Sequence, residues 1–485
     1  MSTGLSFRVI ARLTGVALCA LLAAASWRPV PAQQQQPQQK PMTSMERGRA
    51  DSMLGGVYLE LKKNYYDPKF HGLDIDARYK TYKERLKQAP TLGEAFRVIA
   101  AFLSGLDDSH TVFIPPRRSY RFDYGYRMEM VGDQCFITDV RPESDAAKKL
   151  HAGDQVLALG KFSVNRKDFW QLQYYLTSLA PTPATEFTLR DPAGNTHTEQ
   201  VVTKYLTKFR LTDVTLKGGL SGYWDLVAES EQQQHLLRQR YEENEDLLIW
   251  KMPMFTANEE QLGSMIDRAR KHRALILDLR GNPGGYESTV KFMVGHLFDH
   301  DVKISRRVMR KEQTDLVAAS HGHDAFTGQL IVLVDSRSAS AAELLARVVQ
   351  LEHRGTVVGD VTSGSVMEAI YHPLQLGQES LVHSSTQDTQ TIDRSQMTAI
   401  TGREASSDFD IIVFYGANIT NADLIMGDGK SLEKVGVTPD VIVLPTAEDL
   451  AAGRDPVLAK AAELAHIKLD PAAAGKMFPF EWTPF

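Results

Sequence analysis

Gln329-Leu330-Ile331-Val332-Leu333-Val334-Asp335-Ser336-Arg337-Ser338-Ala339-Ser340-Ala341-Ala342-Glu343, running on to Gln350, reads as an apolar strand, a polar turn and a helix. The turn delivers Ser340 to a helix start. There the unpaired backbone N–H groups and the helix dipole favour developing negative charge, which suits the nucleophile of an acyl transfer. No lysine occurs between Lys311 and Lys430, so a base for Ser340 must come from elsewhere.

Working outward, strands and helices alternate. Leu247 to Met252, Ala274 to Leu279, Leu330 to Asp335 and Thr356 to Val361 read as strands, and Asn258 to Lys271, Glu287 to Phe298 and Ser340 to Leu351 as helices. That rhythm predicts an α/β layered core over residues 246–470. Upstream, residues 206–245 are charged and glutamine-rich and read as a connecting segment. Ser44 to Leu106 carries apolar residues at helical spacing (Met53, Val57, Leu61; Ala95, Phe96, Ile99, Phe102), which predicts a helical N-terminal domain over 44–118. It ends at the polar turn Asp107-Asp108-Ser109-His110-Thr111, before Pro115-Pro116.

At 485 residues, 43% apolar and 24% charged, the composition is that of a soluble globular chain of two or three domains. A formal charge of −5 supplies no basic footprint for nucleic acid. Arg8 and Arg12 precede an apolar run, Leu13 to Ser26, of signal-peptide length and too short to span a bilayer. Residues 1–32 are therefore expected to be an export signal, cleaved after Ala25 or Ala32, with 33–43 a Gln/Pro-rich tether. The protein is expected in the periplasm or outside the cell. Loss of the signal removes Cys19 and leaves Cys135 alone, a thiol suited to packing. His321-Gly322-His323 lacks a third ligand in pattern and reads as a loop, so no metal and no cofactor is expected.

Residues 120–205 combine short strands with two short helices, near Ser144 to Leu150 and Lys167 to Thr177. With Asp145-Ala146-Ala147, Leu150, Gly153-Asp154 and Val156-Leu157, the segment resembles a PDZ domain. The resemblance implies binding of an extended peptide along one strand, with Gly125, Tyr126, Arg127 and Met128 as the loop for its end.

Asp278-Leu279-Arg280-Gly281-Asn282-Pro283-Gly284-Gly285 follows a strand, and its glycines allow a tight turn and close approach of backbone to ligand. Alone the signal is weak. In order with Ser338-Ala339-Ser340-Ala341-Ala342-Glu343, Val357-Val358-Gly359-Asp360-Val361-Thr362 and Leu432-Glu433-Lys434-Val435-Gly436-Val437-Thr438-Pro439-Asp440, it resembles the carboxy-terminal processing and tricorn-type serine peptidases. The resemblance implies a crotonase-like (ClpP-type) α/β spiral core and hydrolysis of peptide bonds.

It also implies roles. Ser340 matches the family nucleophile, Ser338 shapes the turn, and the N–H of Ala341 with that of Gly284 or Gly285 makes the oxyanion hole. In the processing branch a lysine deprotonates the serine, but the matching position here is Ser365. The tricorn-type branch uses a histidine from the N-terminal segment and a glutamate from the C-terminal one, matched by His110 and Glu433; Glu404 and Glu343 are competing carboxylates. The expectation is an exported serine endopeptidase acting on peptides or unfolded protein tails through Ser340, His110 and Glu433. The alternative is an inactive relative that binds peptide through the PDZ-like segment. An acyl-CoA enzyme of the same fold is disfavoured, because export removes the chain from cytoplasmic CoA.

Overall fold

The central parallel sheet owes its place to strands apolar on both faces. In the computed structural model, which describes residues 41–116, 120–207, 236–376 and 413–482, Leu247–Lys251, Ala274–Asp278, Gln329–Val334, Gly355–Gly359 and Val441–Ile442 lie side by side in that order, all parallel. Alternate residues serve opposite faces. Leu248, Trp250, Leu275, Leu277, Leu330 and Val332 pack with the helices Glu259–Ala269, Glu287–Leu297 and Ala341–Leu351. Leu247, Ile249, Ala274, Ile276, Ile331 and Leu333 pack with the Pro456–Leu464 helix on the other side.

Element bounds follow the sequence pattern to within a residue or two, and the differences have local causes. The helix read from Asn258 begins at Glu259 because Asn258 is its cap, accepting from the Gln261 N–H. Ser340 likewise stands just outside its helix. The core also starts earlier than residue 246: Arg240–Glu243 adds an antiparallel edge strand to Leu247–Lys251. Its charged side chains hid it from a reading by apolar runs.

The helices Ser44–Asn64, Ile75–Lys87 and Leu92–Ser104 do not close a core by themselves. Their apolar faces share one with Tyr415, Ala417 and Ile419 of the 14-residue strand Val413–Met426. Val112–Ile114 pairs with that same strand, Phe113 opposite Ala417, which carries the polar turn 107–111 into the core. Val413, Tyr415 and Ala417 of that strand point inward in alternation.

In 120–207 the strands Tyr126–Val131, Gln134–Val140, Gln155–Leu159, Ala184–Arg190 and Thr196–Val202 form one antiparallel sheet over Met128, Ile137, Val156, Phe187 and Leu189. The helix expected near 144–150 is only the short turn Ala146–Lys148, and that near 167–177 is Phe169–Tyr174 followed by a wider turn through Leu179. Cys135 is buried in this sheet. The expected signal and most of the tether, residues 208–235 of the connecting segment, and Glu404 lie outside the described residues. Among the described residues, no helix is long and apolar enough to cross a membrane.

Candidate active site

Ser340 sits at the junction of turn and helix with φ 55° and ψ −117°, a conformation that costs a residue with a Cβ about 1–3 kcal/mol. The surroundings enforce it. Its N–H donates to Ser365 O at 2.9 Å and to Glu343 Oε2 at 3.0 Å. Ser338, fully buried, ties the turn: its hydroxyl donates to Leu279 O at 2.9 Å and accepts from Asp335 N at 3.0 Å. Ala339 N donates to Asn282 O at 2.9 Å, which binds the turn to the glycine loop.

In that loop Gly284 (φ +99°) lies so close that an added Cβ would stand 2.7 Å from Ser340 Cβ. Its N–H is already engaged by Asn282 Oδ1 at 2.9 Å. Of the expected oxyanion donors, Gly284 is thus occupied, whereas the N–H groups of Ala341 and Gly285 have no hydrogen-bond partner among the described residues.

His110 follows Asp108, whose Oδ1 accepts from His110 N at 3.0 Å, Thr111 N at 2.6 Å and Thr420 Oγ1 at 2.9 Å. This buried carboxylate fixes the turn against the Val413–Met426 strand. Burial pulls the His110 imidazole below the ordinary histidine range, partly offset by Asp108, so the ring is neutral at neutral pH.

Glu433 does not bond the imidazole. Ser109 stands between them: His110 Nδ1 lies 2.8 Å from Ser109 Oγ, and Glu433 Oε2 2.9 Å beyond it, while Glu433 Oε1 accepts from Ser109 N at 2.7 Å. A hydroxyl has one proton. Donated to the carboxylate, it leaves Ser109 Oγ to accept from Nδ1–H, and so assigns the tautomer with a bare Nε2. Burial pushes the Glu433 carboxyl up, against the bonds from Val366 N and Ser109. Ser109 is the site residue that sequence reasoning missed, although its place beside His110 was the available signal.

Ser340 and the His110 group meet at residues 365 and 366. Ser365 O holds Ser340 N, and Val366 N donates to Glu433 Oε2 at 2.9 Å. Ser365, where the resemblance to the processing branch implies a lysine, therefore lies against Ser340, and its hydroxyl bonds Ser363 Oγ at 2.8 Å. The half-buried Lys251 is committed to Asp278 at 3.1 Å and Arg280 O at 2.7 Å. Among the hydrogen bonds of the described residues there is none between Ser340 Oγ and His110 Nε2.

The remaining candidates lie elsewhere. Gly125 (φ +72°) caps a turn, and Tyr126, Arg127 and Met128 belong to a strand paired with Gln134–Val140. A cavity of about 410 Å³ opens beside Gly125 and Tyr126, lined also by Arg141, Arg240, Phe480 and Trp482 and by no residue of the Ser340 group. Arg127 is engaged by Glu129 and Asp139, and its guanidinium lies 4.0 Å from the Phe480 ring centre. His321 stacks on His296 at 3.7 Å, and the described residues hold no cluster of metal-ligand side chains.

This geometry sets a strained serine at a helix start, beside a glycine loop, in an α/β scaffold. Residues 246–411 match peptidase family S41, and residues 51–104 match the tricorn protease C1 domain. The chain is 26% identical over 280 residues to the tail-specific protease of Haemophilus influenzae, covering 53% of this chain and 36% of that one. Over 327 residues it is 24% identical to the chloroplastic C-terminal processing peptidase of Tetradesmus obliquus, covering 62% and 65%. The chain thus spans between about a third and two thirds of the length of these relatives. In structure it resembles mature CPAF with a TM-score of 0.58 at 14% identity, over 84% of this chain and 95% of that one, a likeness of fold.

Proposed function

We propose that the chain is an exported serine endopeptidase that cleaves peptides or unfolded protein segments, with Ser340 as nucleophile and His110 as base. The observation that supports this reading is the hydrogen-bonded series Glu433, Ser109, His110, joined through residues 365 and 366 to a strained serine beside two backbone N–H groups that have no partner among the described residues. Ser340 Oγ attacks the scissile carbonyl while His110 Nε2 takes its proton. The oxyanion is received by the N–H groups of Ala341 and Gly285, each such donor typically contributing about 10²- to 10³-fold in rate. The intermediate expels the amine, which takes the proton from His110; water, deprotonated by the same imidazole, then releases the acyl group. Glu433, through Ser109, stabilises the imidazolium between these steps. No metal or cofactor has a part in the scheme.

Residues 120–207 act in this proposal as a PDZ-like module that receives substrate chain ends beside Gly125 to Met128, and the core is of crotonase-like type. The relatives named as tail-specific and C-terminal processing enzymes support this substrate class. A fluorophosphonate probe tests the centre. Wild type should be labelled at Ser340, Ser340→Ala should not be, and His110→Ala should lose most of the labelling rate. Labelling indifferent to His110→Ala would refute the assigned base, and unlabelled wild type would favour a peptide-binding relative without activity.

A further inference from the structure

We propose that Glu343 is a positioning residue for Ser340: by accepting four hydrogen bonds, its ionised carboxylate holds the strained serine and the loop 362–365 in a single arrangement. This rests on the serine-peptidase reading above. A glutamate three residues into a helix ordinarily reaches back to the cap N–H and stays in water. Glu343 makes that bond, to Ser340 N at 3.0 Å, but is fully buried. Its Oε1 also accepts from Thr362 Oγ1 and from Gly364 N at 2.8 Å, and its Oε2 from Ser365 N at 2.9 Å.

The loop it gathers is the one that meets both halves of the site. Ser365 O receives Ser340 N, and Val366 N goes to Glu433. Thr362 N and Oγ1 bond Val437 O and N, and Gly364 O accepts from Lys434 N at 2.7 Å, which fastens the loop to the segment carrying Glu433. A carboxylate alone can accept all four bonds. The protonated acid must turn one oxygen into a donor facing N–H and O–H donors, so at least one bond is lost.

Burial pushes this carboxyl up to about 7, against the pull of the four bonds. All four partners are neutral. The titratable groups on the surrounding elements are paired elsewhere: Asp360 with Arg166, Glu433 with Ser109 and Val366, Lys434 with Asp107, and Arg347 on the same helix with Asp428. The Glu287–Leu297 helix and the Val302–Met309 strand give Val290, Met293, Val294, Leu297 and Ile304 to the apolar core shared with the Ala341–Leu351 helix.

The rate of fluorophosphonate labelling of Ser340 as a function of pH tests the proposal. In wild type it should begin to fall below about pH 7 as Glu343 protonates, and fall more steeply where His110 protonates as well. Glu343→Gln should label roughly 10- to 100-fold more slowly at pH 8, on the scale of a lost hydrogen bond to a charged group. Its rate should then stay flat down to the His110 range, because the amide does not titrate. Thr362→Val removes one donor, raises the carboxyl further and should move the acid limb to higher pH, the opposite direction; it keeps the test in hand should Glu343→Gln not fold. A Glu343→Gln rate equal to wild type, a lowered rate with the wild-type acid limb unchanged, or an unmoved limb in Thr362→Val overturns the proposal. Those outcomes leave the peptidase reading intact if wild-type Ser340 is labelled, whereas unlabelled wild type overturns both.

Discussion

At the scale of single residues, the proposed site has a relay, Glu433 to Ser109 to His110, where the processing branch would have a lysine. His110 is half-buried, and desolvation lowers its pKa, so the free base is present at neutral pH and is lost only as pH falls through a value below the ordinary histidine pKa of about 6.5. Its acid limb therefore lies below that of Glu343. What the imidazolium gains from Glu433 passes through the Ser109 hydroxyl. Ser109→Ala leaves Nδ1–H without its acceptor and removes one donor, the hydroxyl, from Glu433, whose bond from the residue 109 N–H remains. We expect kcat on an unfolded reporter protein to drop about 10- to 100-fold with little change in KM, the scale of one charge-assisted bond. The His110 limb should move to still lower pH, since less negative charge supports the protonated ring. Steady-state rates between pH 5 and 9 check both; a wild-type rate in Ser109→Ala would remove the hydroxyl from the relay.

At the scale of elements, the strand, turn and helix around Ser340 were legible because their signals are local. Leu330 to Val334 is apolar without a break, and the helix begins where small residues follow the turn. Ser109 and Arg240–Glu243 were not legible, because partners 324 residues away or next to a charged edge leave no periodic mark. His110 and Glu433 were found through family resemblance; nothing in the composition of their turns distinguishes them. The glycine loop falls between these cases, its glycines visible but their individual demands not. Gly284 combines φ +99° with a would-be Cβ 2.7 Å from Ser340 Cβ, whereas Gly281 combines φ +72° with open space. Gly284→Ala should therefore lose at least about tenfold in labelling rate at a cost of about 1–3 kcal/mol, and Gly281→Ala only about 1 kcal/mol with labelling retained. Thermal melts alongside labelling check the pair; equal effects at the two positions would count against a packing role for Gly284.

At the scale of the whole described chain, the 120–207 segment meets residues 236–482 at several places, among them the turn before Ser340, where Ser336 Oγ donates to Met130 O at 2.6 Å and Arg337 pairs with Glu129; two others have different consequences. One is the segment Phe478 to Trp482, where Phe480 and Trp482 lie under the guanidinium groups of Arg127 and Arg141, and Glu481 pairs with Arg238. The other reaches the site. Arg166 donates to Asp360 Oδ2 at 3.0 Å and to Val361 O, just before the loop that Glu343 gathers, and Gly132 N donates to the same carboxylate at 2.9 Å. Arg166→Ala leaves the mostly buried Asp360 without its counter-charge. The planar fork that meets a carboxylate and a carbonyl together is not reproduced by lysine. Arg166→Ala should therefore lower kcat about tenfold and speed amide exchange across 360–366, with Arg166→Lys recovering only part of the rate. The double variant Phe480→Ala with Trp482→Ala should speed exchange in 120–207 yet leave 360–366 and kcat close to wild type, because the two rings meet Arg127 and Arg141 and not that loop. If both variants lower kcat alike, the grip at Arg166 has no privileged connection to Ser340, and the segment acts on the site only through overall stability.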